Sequence, residues 1–172
     1  MTLFARPAFE QALTHLIQQA RAGVEGVGVL SASLLGDVRQ AVTPAMLTNL
    51  VIDRWTPLGN VAEFPRVRYE VDPGELLAVY DELEADGYRP AVMVHSHLRT
   101  GAAPSATDVR YATNPALLHL IVDLEAPRPV PVLWRLRPDH ALTEQEKIRF
   151  QVVDLHEQKN QATDLTRGVT GA

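Results

Sequence analysis

A chain of 172 residues, 46% of them apolar and with a formal net charge of −5, suits one domain with a proper core. It has no cysteine, which excludes disulfides, thiolate metal sites and cysteine nucleophiles. Its basic residues are scattered singly, no apolar run reaches membrane-spanning length, and the first twenty residues, with Glu10 and His15, lack a signal-peptide core; no nucleic-acid or membrane partner is expected, and a soluble cytoplasmic protein is.

In chain order, Phe9, Leu13, Leu16, Ile17 and Ala20 recur at helical spacing, between Pro7 and Gly23. The spacing predicts a helix over residues 8–22 with His15 at the surface. Residues 24–35 read as a strand, and Gly36-Asp37 as a hairpin turn into residues 38–42. Glu25 opens that strand among small neighbours, where the residues alone suggest an exposed acid at a strand end. Residues 43–69 are punctuated by Pro44, Pro57, Gly59, Asn60 and Pro65. They read as short strands, with pieces at 50–52 and 67–71, joined by a long loop of the kind that is functional or mobile. Asp72 then suits an N-cap, Pro73 the first helical position, and Glu75 completes a capping box. This second helix should bury Leu76, Leu77, Tyr80 and Leu83 and end near Gly87, with Asp81, Glu82, Glu84 and Asp86 on its solvated face.

The stretch with most chemistry runs over residues 92–111. An apolar strand ends in His95 and His97, and residues two apart in a strand point the same way, so both imidazoles can reach one metal ion. Seven residues with turn chemistry follow, including Gly101 and Pro104, and then Ser105-Ala106-Thr107-Asp108. A Ser followed three residues later by an acid signals a helix start. The first turn can therefore bring Asp108 back to the strand end, giving three protein ligands and leaving a fourth zinc position for water. Taken singly, His-x-His is ordinary at a strand end, and Ser-x-x-Asp is ordinary as a cap. Their joint spacing is what argues for a site.

That spacing, His-Ser-His, seven residues, Ser, two residues, Asp, resembles the JAMM (MPN-plus) metallopeptidase motif, whose catalytic Glu lies well upstream in a pattern like Glu-x-x-Gly-x-Leu. Glu25, Gly28 and Leu30 match that pattern. Asn60, Tyr69 and Asp72-Pro73-x-Glu75 echo a segment of small prokaryotic members. The resemblance implies zinc on His95, His97 and Asp108, Glu25 as general base, and Ser105 as a donor to the oxyanion, a role that competes with capping the helix. It implies hydrolysis of the amide after the C-terminal Gly-Gly of a ubiquitin-like or sulfur-carrier protein; the loop over residues 56–69 and the 98–104 insert, both Pro- or Gly-punctuated and bordering the site by connectivity, are the expected docking surface. Val27 stands where many bacterial relatives carry Cys, and Leu98 where a Pro usually follows His-x-His. A zinc deaminase is excluded by the missing Pro-Cys-x-x-Cys pair. A catalytically silent MPN-type binding scaffold and a zinc amidohydrolase acting on a small-molecule amide remain as alternatives.

Downstream, a short helix over residues 106–112 should stop at Asn114-Pro115. Residues 117–124 form a central strand, with His119 as a hydrogen-bonded sheet histidine or, less simply, a further zinc ligand. After a turn at 126–131, residues 132–136 pair back with Trp134 as a core anchor. In the remainder, Thr143 to Glu146 can cap a short helix, whereas Ile148, Phe150 and Val152 alternate as in a strand, and the two readings stay open. Beyond Leu155 the chain is polar and a frayed tail is expected. The expected fold is α/β, a curved mixed sheet flanked by three helices, similar to the cytidine deaminase fold as the resemblance implies. One domain covers residues 1–140, and 141–172 is a partly disordered extension.

Overall fold

The computed structural model describes residues 1–33 and 51–154. The hairpin turn expected at Gly36-Asp37, its partner over 38–42 and the tail from residue 155 lie outside the described residues. The elements in order are β1 (Thr2–Ala5), α1 (Arg6–Arg21), β2 (Val27–Ser33), β3 (Val51–Leu58), α2 (Pro73–Ala85), β4 (Tyr88–His97), α3 (Ala106–Tyr111), β5 (Leu118–Asp123), β6 (Val130–Arg135), a 3-10 helix (Leu142–Glu144), β7 (Glu146–Ile148) and β8 (Phe150–Val153). The described strands form one mixed, eight-stranded sheet in the order β7-β6-β5-β4-β2-β3-β1-β8. No helix among the described residues is long and apolar enough to cross a membrane.

Side-chain alternation divides the sheet into two faces. Leu30, Val92, Val94, Leu118, Leu120 and Val122 turn to one face and pack under α1, which contributes Ala8, Phe9, Ala12 and Leu16. Val27, Val29 and Met93 turn to the other and meet Leu83 of α2. Ile121 and Trp134 share that second face with Val109 and Ala112 around α3. In β4, His95 and His97 are in phase with Met93, so they leave the sheet on the α2 and α3 side.

Several local expectations are corrected. Helix α1 begins at Arg6 with Pro7 in its first turn, and His15 is half-buried, its ring 5.6 Å from that of Trp55. The piece expected at 50–52 continues as β3 through Pro57. Among the described residues β1 pairs only with Val51 and Ile52, and none pairs with that edge of β3 farther on, where a proline is tolerated. Residues 67–71 form no strand. In α2, Leu76, Val79, Tyr80 and Leu83 make the stripe that packs on the sheet, and Leu77, a turn of about 100° off it, is 62% exposed. Asp72 caps α2 by accepting from the Glu75 N–H. The Glu75 carboxylate does not return the bond, because it accepts from the Gly59 N–H at 3.0 and 3.2 Å. His119 is buried with neither ring nitrogen hydrogen-bonded among the described residues, so it is not the hydrogen-bonded sheet histidine expected.

The C-terminal segment joins the two ends of the sheet. Of the two readings of residues 143–152 the strand holds, as β7 and β8; Thr143 to Glu146 cap no helix, since a 3-10 turn at Leu142–Glu144 with its N-cap at Ala141 precedes β7. Strand β7 pairs with β6, and β8 pairs in parallel with β1. Between them the Arg149 carbonyl accepts from the Thr2 N–H at 3.1 Å. The boundary expected at residue 140 thus precedes two strands of the same sheet.

Candidate metal centre

The end of β4 is fixed from both sides, antiparallel to β2 and parallel to β5. This holds His95 and His97 on one face and Ser96 on the other. The loop after β4 turns at Gly101, whose φ of +70° is open to glycine at no steric cost. That turn aims the Gly101 carbonyl at the His97 Nδ1, 2.8 Å away, with the Thr100 hydroxyl 3.0 Å from the same nitrogen. With Nδ1 donating its proton to the carbonyl, the His97 Nε2 lone pair is left free for a cation.

Helix α3 brings in the third group. Ser105 and Asp108 form a reciprocal capping box: the Asp108 N–H donates to the Ser105 Oγ at 3.1 Å, and the Asp108 carboxylate accepts from the Ser105 N–H at 2.6 Å. Asp108 Oδ1 lies 3.3 Å from the His95 Nε2, Oδ2 lies 3.3 Å from the His97 Nε2, and the two Nε2 atoms are 3.1 Å apart. A small tetrahedral ion bonded at roughly 2.0–2.1 Å sets its donors about 3.3 Å apart. The three buried side chains therefore fit one metal ion. Their donor set of two imidazoles and a carboxylate is borderline to hard. Burial disfavours the Asp108 anion, but the two imidazoles outweigh it and hold its carboxyl well below the usual range. Burial lowers His95; for His97 it acts the same way, and the Asp108 contact and Gly101 carbonyl reverse it. The ring of Tyr69 packs against that of His95, with centroids 4.5 Å apart and planes tilted by 35°.

Glu25 lies just before β2 and is 4% exposed, not the exposed acid its neighbours suggested. Gly26 lets this segment pass directly under α1, since a Cβ there would lie 2.8 Å from the Leu16 Cδ2 and 3.1 Å from its Cα. Ser96 ties the segment to the ligand strand: its Oγ accepts from the Gly26 N–H at 2.9 Å, and its N–H donates to the Gly26 carbonyl at 3.0 Å. Burial raises the Glu25 pKa to about 7, while His97 and the Leu98 amide pull against it and Asp108 adds to it. Glu25, His97, Ser105 and Asp108 share the wall of one cavity of about 430 Å³, completed by residues that include Arg66, Tyr69, Met93, Arg99 and Thr100. His119 is in neither the triad nor the cavity wall. Burial first of all lowers its pKa to about 4.

Thr100, Gly101, Ser96 and Tyr69 support the site but were not singled out as site residues. Gly101 had a signal in the sequence as a glycine in the insert between the two halves of the spacing, and Tyr69 as part of the segment that echoes small prokaryotic members. Ser105 carries less conflict than its sequence suggested. Its oxygen accepts the capping bond on a lone pair, so its hydroxyl proton stays free to donate into the cavity.

A mixed sheet with two histidines at a strand end and an aspartate in the first turn of the next helix defines a JAB/MPN-type domain. The fold is that of a JAB1/MPN domain protein from Archaeoglobus fulgidus (TM-score 0.50, 17% identity, covering 90% of this chain and 100% of that one). Residues 9–137 match the model of the prokaryotic homologs of the JAB domain, and the chain belongs to that family. It is also similar to a solution structure from Desulfitobacterium hafniense, at TM-score 0.67 and 28% identity over 91% of this chain and 97% of that one. Among curated proteins it is 40% identical over 65 residues to a desampylase of Haloferax volcanii, covering 38% of this chain and 47% of that protein. It is 37% identical over 75 residues to a CysO-cysteine peptidase of Mycobacterium tuberculosis, covering 44% of this chain and 51% of the relative. The matches thus span about half the length of these curated relatives.

Proposed function

We propose that this protein is a zinc-dependent peptidase that hydrolyses the amide after the C-terminal Gly-Gly of a ubiquitin-like or sulfur-carrier protein. The observation that carries the reading is the buried grouping of His95, His97 and Asp108, with one donor atom from each within 4.8 Å of the others, beside a cavity whose wall His97 and Asp108 share with Glu25. His95, His97 and Asp108 would hold the zinc, which supplies a Lewis acid that polarises a carbonyl and acidifies water near neutral pH. Glu25 takes a proton from the attacking water and returns it to the leaving amine. In the metal-free protein burial raises its pKa to about 7, and a nearby cation would draw it down from there, so the carboxylate form that takes the proton is available near neutrality. The Ser105 hydroxyl donates to the oxyanion that develops at the scissile carbonyl, a contribution of about 3 kcal/mol for a well-aimed donor. Arg66, Tyr69, Arg99 and Thr100 belong to the two segments expected to dock the carrier, and they line the cavity.

The names of the desampylase and CysO-cysteine peptidase relatives support a carrier-protein substrate. So does the physics of the tail, because a diglycine is thin and extended and passes where bulkier residues would clash. The test is product mass spectrometry on a ubiquitin-like carrier bearing an amino-acid or lysine adduct after Gly-Gly. Release of the adduct with the carrier intact to its last Gly is expected, with strong slowing when that Gly is changed to Val. Equal cleavage of Gly and Val carriers, or cleavage inside unrelated unfolded peptides, would make the enzyme a general peptidase.

A further inference from the structure

Asn60, between β3 and α2, takes no part in the chemistry just described, yet its amide makes four hydrogen bonds. Its Nδ2 donates to the Glu25 carbonyl at 2.9 Å and to the Arg68 carbonyl at 3.1 Å. Its Oδ1 accepts from the Ala62 N–H at 3.0 Å and the Glu70 N–H at 3.1 Å. The same loop is closed at its neck by the Val61 N–H donating to the Glu70 carbonyl at 2.8 Å, and the Glu25 N–H donates to the Pro65 carbonyl at 2.6 Å. The loop thus holds the N–H of Glu25 through Pro65 and the carbonyl through Asn60. Residues 66–71 of that loop also line the cavity.

Glu25 needs such a hold. Ladder pairing of β2 begins only at Val27, so the peptide after Glu25 is held by two side chains, Ser96 on its N–H and Asn60 on its carbonyl. We infer that Asn60 is a positioning residue for Glu25, and that the loop it closes is one frame for both the base and the substrate wall. The inference rests on the reading of Glu25 as general base. Asn60→Asp keeps size and the two acceptor bonds, but it loses both donors and turns a carboxylate oxygen toward the Glu25 and Arg68 carbonyls. Misplacing a reacting group by about 1 Å can cost on the order of a hundredfold in rate.

The test is a double-mutant cycle on the zinc-loaded full chain, measuring kcat and KM on the carrier adduct for wild type, Asn60→Asp, Glu25→Gln and the double variant. We expect Asn60→Asp to lower kcat by roughly ten- to a hundredfold in the wild-type background, and by less than about twofold where Glu25 is already Gln. A merely structural role lowers both backgrounds by the same factor, and that result overturns the inference while leaving the base assignment standing. Turnover by Glu25→Gln equal to wild type fails the base assignment itself, and the inference with it. Hydrogen exchange gives a second readout that needs no turnover: Asn60→Asp should deprotect residues 24–26 while residues 120–122 of β5 and the zinc content stay as in wild type. Unchanged protection at 24–26 also overturns the inference. Asn60→Ala, which sets no charge against the carbonyls, repeats both measurements if the aspartate variant does not fold.

Discussion

Glu25 keeps its proton in the folded protein over a range where the unfolded chain has lost it, because burial raises its pKa from 4.5 to about 7. As pH rises from 4.5 towards 7, the unfolded state gives up this proton and the folded state does not, so stability falls. Above that window the loss is complete, on the order of 3 kcal/mol in the metal-free protein. Glu25→Gln removes this titration. Its metal-free thermal stability should match wild type near pH 4 and exceed it at pH 8; equal stability at pH 8 would contradict the burial. The sequence could not show that burial, since the immediate neighbours of Glu25 are small and the groups around it come from segments some 35 to over 80 residues on, Asn60 and Pro65 at its backbone and His97, Leu98 and Asp108 near its carboxylate. His95, His97 and Asp108 were legible because strand alternation and helix capping are local rules that survive any tertiary context. His119 was misread for the opposite reason: a strand pattern does not say whether a neighbouring element brings a partner to its ring.

At the scale of elements, the insert between β4 and α3 works through one backbone carbonyl. Gly101 and Gly87 both have positive φ, +70° and +77°, and a Cβ at either would meet nothing within 4 Å. Alanine at each should therefore cost about 1 kcal/mol or slightly more, from backbone strain alone. Only the Gly101 carbonyl bonds a histidine of the candidate metal group, so Gly101→Ala should also weaken zinc binding, by up to about fivefold, to the extent that the chain relieves the strain by turning that carbonyl away. Chelator competition on the two variants checks this. Equal affinities would mean that the alanine backbone keeps the carbonyl aimed at His97. The glycine in Glu25-x-x-Gly28-x-Leu30 also has a packing cause. A Cβ on Gly28 would lie 2.2 Å from the Trp55 Cη2 and 2.6 Å from the Thr56 carbonyl oxygen, both on the adjacent strand. The motif could be matched from sequence, but its reason could not, because Trp55 is contributed by a different strand. The α2 stripe was nearly legible, with Leu77 misplaced by one position of helical phase.

At the scale of the whole molecule, the sheet is closed by a segment that the sequence suggested was an extension. Local pattern shows that Ile148, Phe150 and Val152 alternate, but not that β7 and β8 attach to opposite ends of one sheet. Phe150 sits at the closure, its ring edge-on to Phe4 at 5.3 Å and 5.9 Å from Phe9. Being half-buried, it should cost about 2 kcal/mol on Phe150→Ala, short of the roughly 3–5 of a fully buried phenylalanine. The urea midpoint should fall accordingly, and an unchanged midpoint would show that the closure adds no stability. What depended on neighbouring residues, the helices, the central strands and the grouping of His95, His97 and Asp108, could be read in advance. What depended on distant chain segments meeting, the closure and the cover over Glu25, could not.

Zinc content measured by elemental analysis on wild type, Asp108→Ala and Glu25→Gln tests the central claim most directly, that His95, His97 and Asp108 hold the metal while Glu25 acts beside it. The expected values are about one zinc per chain in wild type, little in Asp108→Ala, and about one again in Glu25→Gln. Equal zinc in wild type and Asp108→Ala, or loss of zinc in Glu25→Gln, would contradict the account.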